Sequence, residues 1–415
     1  MNPSNSHTHH YSKLSTSETL SANPSSTSNN SVMYTRDWRS ALRSPPTYRL
    51  GNRTFRFNYH FALLIAASIS LGMVFIYMKA KSTSSFETVS TLSVFSRSIY
   101  NTTYPLTPPK YARGIQTFRI GMVADLDTAS KIGHSWKSYF KKGYLTFIES
   151  RRELRIIWDD QEPQAIESSF SLKDRGMELS ELVTFDGKLL SFDDRTGLVY
   201  KLENDKLIPW VILLDGDGQS SKGFKSEWAT VKNQMLYVGS MGKEWTTSQG
   251  DFENENPMFV KIISPGGEVR SLDWSFNYKV LREESMGIVW PGYMIHESGA
   301  WSDVHQKWFF LPRRCSKNKY NETRDEHMGC NLLISADERF SKVTTITLEN
   351  KEPTHGFSSF KFIPGYEDKY ILAIKSEELN GKTSTFITVF DIDGNVLYPE
   401  QRIPTEFKYE GIEFI

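Results

Sequence analysis

The chain has 415 residues, with 49 Lys plus Arg against 49 Asp plus Glu. That balance removes the electrostatic drive for a nucleic-acid partner, so any charged ligand must be met by a local site. Aromatic residues make up 13% and fall in short runs such as KWFFLPRR and FSSFKFIP, which favours an all-β fold with sheets packed face to face.

Residues 1–60 read as a disordered cytoplasmic tail. Its first part is Ser, Thr, Asn and His with few large apolar groups, too little to offset the entropy of ordering it. The histidines at 7, 9 and 10 (HTHH) belong to that polar tract rather than to a metal site. Residues 61–78, FALLIAASISLGMVFIYM, carry no charge; as a helix they would span about 27 Å and cross a bilayer as a signal anchor. Arg36, Arg39, Arg43, Arg49, Arg53 and Arg56 precede the span while only Lys79 and Lys81 follow closely. This predicts a single-pass type II membrane protein, tail in the cytoplasm and main domain in the lumen. Residues 79–114, Ser/Thr-rich and then Pro-rich, read as a lumenal stem. Asn101 and Asn321 lie in glycosylation sequons on that side.

From 115 to 415 a weak repeat takes over. A turn glycine or aromatic is followed by a Ser or Glu and then by an alternating apolar strand. It occurs as GMELS before LVTFDGKLLSF, GFKSE before ATVKNQMLYVG, YMIHE before the strands around KWFFLP, HGFS before FKFIPGYEDKYILAI, and YEG before IEFI. The oxygen-bearing residues Ser180, Glu227, Glu297, Ser358 and Glu410 are 47, 70, 61 and 52 residues apart. Each interval suits one four-stranded sheet with its turns, so the expected fold is a five-bladed β-propeller. Three carboxylates and two serines brought to one axis would make an oxygen cage for a hard cation such as Ca2+.

Turn signals at Asp186-Gly187, Asp215-Gly216, Pro265-Gly266 and Asp393-Gly394 bound the strands. Helical periodicity is confined to the span and to Lys131–Phe140. After Glu410 too few residues remain for a blade, so 118–125 and 144–149 are expected to complete it with the C-terminus. Cys315 and Cys330 flank a polar loop in a compartment expected to be oxidising. A disulfide there would contribute about 3 kcal/mol; the alternative is a pair of free buried thiols.

The acidic and basic clusters are Asp125 with Asp127, Asp193-Asp194-Arg195, Asp215 with Asp217, Lys243-Glu244-Trp245 and Arg313-Arg314. Singly, the Asp-Gly pairs read as hairpin turns, Glu178 as a solvent-facing strand residue and Trp245 as core or rim. Gathered at one mouth, they would offer general bases and bidentate phosphate contacts. Zinc is disfavoured, since no Cys-x-x-Cys or His-Glu-x-x-His occurs, and there is no Walker loop.

RGMELSELVTFDGKLLSFDDRTGLVY, LDGDGQSSKGFKSEWATVK, VGSMGKEWTT, HESGAWSD, KWFFLPRR, THGFSSFKFIPG and KYEGIEFI closely resemble the soluble calcium-activated nucleotidases. This apyrase family includes salivary enzymes of blood-feeding arthropods and a vertebrate Golgi and endoplasmic reticulum enzyme. The similarity runs from about Tyr104 to Ile415. It implies a five-bladed propeller with one central Ca2+ that hydrolyses nucleoside diphosphates and triphosphates to monophosphate and phosphate, with UDP and GDP preferred over ADP. Carried over by motif, the Ca2+ ligands are Ser180, Glu227, Glu297, Ser358 and Glu410, with Glu181 adjacent. Asp125 and Asp194 are the expected water-activating residues, with Glu178 and Arg195 behind them. Asp127, Lys243, Glu244, Trp245 and Arg313 are expected at the substrate. The cellular role implied is clearance of UDP left by glycosyltransferases in the Golgi or endoplasmic reticulum. Release by stem cleavage and homodimerisation stay open. Two other readings compete: a non-catalytic propeller stabilised by calcium that binds a protein or glycan, and a calcium-independent glycosidase.

Overall fold

The computed structural model describes residues 47–50, 53–56, 63–78, 99–349 and 352–415, in two compact units divided between Arg97 and Ser98. In the first unit Thr47–Leu50 pairs antiparallel with Arg53–Arg56 inside what reads from sequence as an unstructured tail, and residues 63–78 are helical. Among the described residues no helix is long and apolar enough to cross a membrane. Most of the expected tail (1–46), residues 61 and 62 of the expected span, and 79–98 of the stem lie outside the described residues.

The second unit is all-β and propeller-like. Four four-stranded sheets follow one another along the chain, with innermost strands Leu179–Phe185, Trp228–Lys232, Tyr293–Ser302 and His355–Phe362. A seven-stranded sheet joins the two ends: Lys408–Phe414 pairs antiparallel with Ile115–Asp125, which pairs with Ser135–Ile148. The C-terminus is thus completed by the N-terminal strands, as the shortage of residues after Glu410 requires. Each of the five first strands contacts the next in the order given, and Lys408–Phe414 contacts Leu179–Phe185 in turn.

Local sequence explains the meander. Asp186-Gly187, Asn204-Asp205, Asn233-Gln234 and Asn380-Gly381 all take positive φ between paired strand ends. That is the type I′ geometry whose twist matches the flanking strands. Large aromatics fill the space between sheets: Trp228 lies 5.7 Å from Phe310 and 5.8 Å from Trp274, ring centre to ring centre.

Two elements differ from expectation. Lys131–Phe140 is not helical; it holds the short strand Lys131–Ile132 and the start of Ser135–Ile148, where Trp136, Ser138 and Phe140 point inward at period two. A helix forms instead at Ser275–Met286, ended by Gly287 at φ 63°. Its inner face includes Arg282, a charge whose burial masks the apolar stripe.

The last part of the expected stem belongs to this unit. Lys110–Ala112 is a strand beside Ile115–Asp125, Asn101 N donates to Asp186 Oδ1 at 2.8 Å, and Tyr104 OH donates to Glu413 Oε1 at 2.9 Å.

Candidate active site

Four inner strands share one irregularity. Register breaks leave Ser180 unpaired between Leu179 and Glu181, Glu297 between His296 and Gly299, Ser358 between Phe357 and Ser359, and Glu410 between Tyr409 and Gly411. These are β-bulges, which turn a residue out of the strand alternation and free its main-chain groups. Glu227 stands just before Trp228–Lys232, its N–H donating to Gly239 O at 2.8 Å. Spacing along the chain therefore marks a bulge in four of the inner strands, and in the remaining one the residue just before the strand.

At this level lies a cavity of about 310 Å3 lined by ten carboxylates and five cationic side chains. Glu227, Glu297, Glu410, Asp125, Asp127, Asp194, Arg195 and Arg313 all reach it. Arg313 bridges Glu297, Glu410 (3.0 Å) and Glu378 (3.3 Å). Lys408 Nζ lies 2.9 Å from Asp125, 3.0 Å from Asp127, 2.6 Å from Glu378 and 3.3 Å from Glu410. Lys225 is paired with Asp194 and, at 2.7 Å, with Glu227 Oε1. Glu178, below the surface, accepts from Arg175 Nε and Arg195 Nε, each at 2.7 Å.

Five cations do not balance ten anions, and burial adds to the cost of charge on several of these carboxylates. Burial, with Glu297 and Asp194 adding repulsion against the pull of Lys225, raises Glu227 to about 8. Burial likewise holds Glu410 well above the carboxylate range, with Asp125 and Glu297 adding to it. Glu178 is raised by burial and then by Asp194. Arg313 and Lys408 instead hold Glu378 far below the usual range.

Several buried oxygens also lack hydrogen-bond donors. Ser358 Oγ has none, and Glu227 Oε1 has the Lys225 ion pair but no aligned hydrogen bond. An added divalent cation would relieve the excess negative charge and the bare Glu227 oxygen of the cavity, so its carboxylates fit a hard, oxygen-seeking ion; Ser358 does not line the cavity. Asp125, Asp127 and Glu178 also bring one oxygen each within 4.8 Å of one another. This largely buried acidic cluster is capable of holding a metal ion and is consistent with Ca2+.

Other expected residues stand apart from the cavity. Ser180 Oγ donates to Ser226 O at 2.5 Å. Glu181 Oε1 accepts from Leu182 N and Ser359 Oγ, both at 2.8 Å, and lies 3.1 Å from Lys361; burial lifts it to about 7. Lys243 Nζ donates to Glu244 O and lies over the Tyr320 ring, Glu244 is engaged two-fold by Arg282 at 2.7 and 2.8 Å, and Lys222 covers Trp245 at 4.0 Å. These three brace one wall from behind. Cys315 and Cys330 form a disulfide. Asn101 is exposed, and Asn321 accepts from Arg324 N as a helix cap.

Sequence reasoning left out Arg175, Lys225, Tyr320, Asp325, Glu378 and Lys408. Lys225 and Lys408 each precede a hub glutamate by two residues, a spacing that was available as a signal. Glu378 carried none, since SEEL reads as an ordinary strand end.

The Apyrase family matches residues 125–415. Soluble calcium-activated nucleotidase 1 of Rattus norvegicus is 51% identical over 318 residues, 76% of this chain and 78% of the relative. An apyrase of Cimex lectularius is 48% identical, covering 76% and 87%, and apyrase apy-1 of Caenorhabditis elegans is 43% identical, covering 74% and 86%.

Proposed function

The chain belongs to the apyrase family and is a nucleotide hydrolase, and from that premise we propose that it cleaves the terminal phosphoanhydride of nucleoside diphosphates and triphosphates in this cavity, with Ca2+. The observation that carries the reading is the excess of carboxylates over cations lining this cavity, inside the matched segment. Glu227, Glu297 and Glu410, which line the cavity, would hold the ion, and the resemblance adds Ser180 and Ser358 to the set. Bound there, it would neutralise charge on the diphosphate and on the phosphoryl group in transfer.

The protein's own groups supply the rest. Arg313 and Arg195 present guanidinium donors suited to phosphate oxygens. Asp125 and Asp194, each tethered by a lysine, are positioned to accept a proton from an attacking water. Arg175 and Arg195 clamp Glu178 beneath them, which fixes the floor of the site.

The finer points of the reading rest on the resemblance and the sequence pattern. They are preference for UDP and GDP over ADP, removal of UDP left by glycosyltransferases, and a Golgi or endoplasmic reticulum membrane location through residues 61–78, with glycans at Asn101 and Asn321. The five-bladed count is supported by the cycle of five inner strands, with the seven-stranded sheet as the closing blade.

Phosphate release from UDP, GDP, ADP and UTP, with millimolar calcium and with chelator, tests the activity. Release from UDP and GDP that stops with chelator is the expected result. No release from any nucleotide, or release indifferent to chelation, overturns it. Carbonate-resistant, detergent-dependent extraction of the full chain from microsomes tests the anchor.

A further inference from the structure

Charge is unevenly placed around the cavity. The three uncharged lining residues, Met241, Ile295 and Tyr320, adjoin one another on one wall. Elsewhere four charged side chains close a ring. Glu410 Oε1 lies 3.0 Å from Arg313 Nη1 and 3.3 Å from Lys408 Nζ, and Glu378 Oε1 lies 3.3 Å from Arg313 Nη2 and 2.6 Å from Lys408 Nζ. Two carboxylate oxygens thus each serve the same two cations. Glu410 does so from the hub, on the inner strand Lys408–Phe414, and Glu378 from Tyr370–Leu379, the second strand of the fourth sheet.

Glu378 stands on a rigid element. It pairs with Thr383 one step before Leu379 and Lys382, where Asn380-Gly381 at φ 52° and 74° closes the hairpin. Its neighbour Glu377 accepts from Thr354 Oγ1 at 2.6 Å, and strand alternation turns Glu378 the other way, into the cavity. Arg313 is confined along its stem, since a Cβ added at Gly356 would meet Arg313 Cγ at 2.4 Å. Exposed ion pairs contribute little because both partners are solvated and mobile. Here the Glu378 side chain is 41% exposed, but those of Arg313 and Lys408 are 8% and 5%. A carboxylate that spans two buried cations offsets their mutual repulsion and fixes where they stand.

We propose that Glu378 is a positioning residue for the phosphate end of this cavity, holding Arg313 and Lys408 side by side and keeping both available to phosphate oxygens. The assignment rests on the nucleotide-hydrolase reading above for the class of ligand. In that reading Glu297 and Glu410 are hub carboxylates, and calcium draws on oxygens that they share with Arg313. Glu378 is not a hub position, so it is the carboxylate left to span the two cations. Without it, Arg313 and Lys408 would repel each other and settle on Glu297, Glu410, Asp125 and Asp127, away from phosphate.

Calorimetry on the full-length protein in calcium, with the non-hydrolysable α,β-methylene analogue of UDP, reads this role independently of turnover. Its sign is diagnostic. Glu378→Gln adds one positive charge to the cavity, which by charge alone would tighten an anionic ligand. Loss of positioning should instead weaken the analogue about ten-fold, the size of one charge-assisted hydrogen bond. Glu378→Asp, which keeps the carboxylate one methylene back, should recover part of that loss. In turnover, kcat/KM for UDP should fall at least as far in Glu378→Gln. The proposal is overturned if wild type does not bind the analogue, if Glu378→Gln binds it as tightly as wild type or more tightly, or if Glu378→Asp does no better than Glu378→Gln. Should the analogue weaken as stated while wild type releases no phosphate from UDP, the positioning role stands and the hydrolase reading falls. Turnover of UDP by wild type with analogue binding unchanged in Glu378→Gln gives the reverse.

Discussion

Glu410 and Glu413 stand three residues apart on one inner strand, about 10 Å along it, and meet opposite conditions. Glu410 shares Arg313 and Lys408 with neighbouring carboxylates that repel it. Glu413 is served by the protein alone: Thr184 N at 2.9 Å, Phe414 N at 2.8 Å and Tyr104 OH at 2.9 Å, with the charge of Lys361 nearby. Both are pushed up by burial, so titration by itself does not tell a site from a plug. What distinguishes them is how the oxygens are satisfied. Along the axis the chain closes one end with complete hydrogen bonds and leaves the other short of positive charge.

The largest break in that contrast should come from Glu410→Gln. It removes a hub carboxylate, and phosphate release from UDP should fall by at least about a hundred-fold, as when one preorganised electrostatic group is lost. The rise in melting temperature on adding calcium should shrink with it, read by scanning calorimetry with and without chelator. Equal activity in the variant would remove the distinction between the two ends.

Next in size, the Cys315→Ala/Cys330→Ala pair opens a loop whose ends are 15 residues apart. Denaturant unfolding should register a loss of about 3 kcal/mol. The sharper question is whether the damage stays at the mouth, with kcat for UDP retained.

At the closed end Glu413→Gln should cost about 1–3 kcal/mol, because an amide cannot accept all three donors that the carboxylate does. Turnover of UDP per folded molecule should stay near wild type. A large loss of calcium response here would show that the two ends act as one unit.

The last effect, confined to alkaline pH, is predicted away from the axis. Lys261 is buried in the second sheet, donating to Gly216 O and Ser271 Oγ, and burial lowers it to about 8 despite the pull of Asp215 and Asp217. Between pH 8 and about 10.4, where a free lysine titrates, the folded chain loses this proton before the unfolded one does. Stability should therefore rise with pH across that window. Comparing the pH dependence of melting in wild type and Lys261→Met isolates this contribution, and an unchanged slope would discard it.

Much of the hub could be read along the chain because a bulge at one level of four of the five sheets demands similar residues at similar intervals. Ser180, Glu297, Ser358 and Glu410 are the four that fall at such bulges. Lys243, Glu244 and Trp245 looked chemical for another reason: a cluster of charge and indole is equally what a buried brace needs when Arg282 and Lys222 come to it from distant segments. The helix at Ser275–Met286 was hidden by the same Arg282, polar in sequence and buried in fact.

By itself, then, the sequence determined the alternating strands and their turns, the joining of the two ends in one sheet, the family, and the recurring Ser or Glu of the hub. These follow from short-range rules and from repetition, both written in order along the chain. Only the tertiary structure decided which cation serves which carboxylate, which end of the axis is sealed by Tyr104, and which wall of the cavity is uncharged. Those depend on side chains up to 309 residues apart meeting at one point, and Coulomb and hydrogen-bond energies act through distance in space, not through position in the chain.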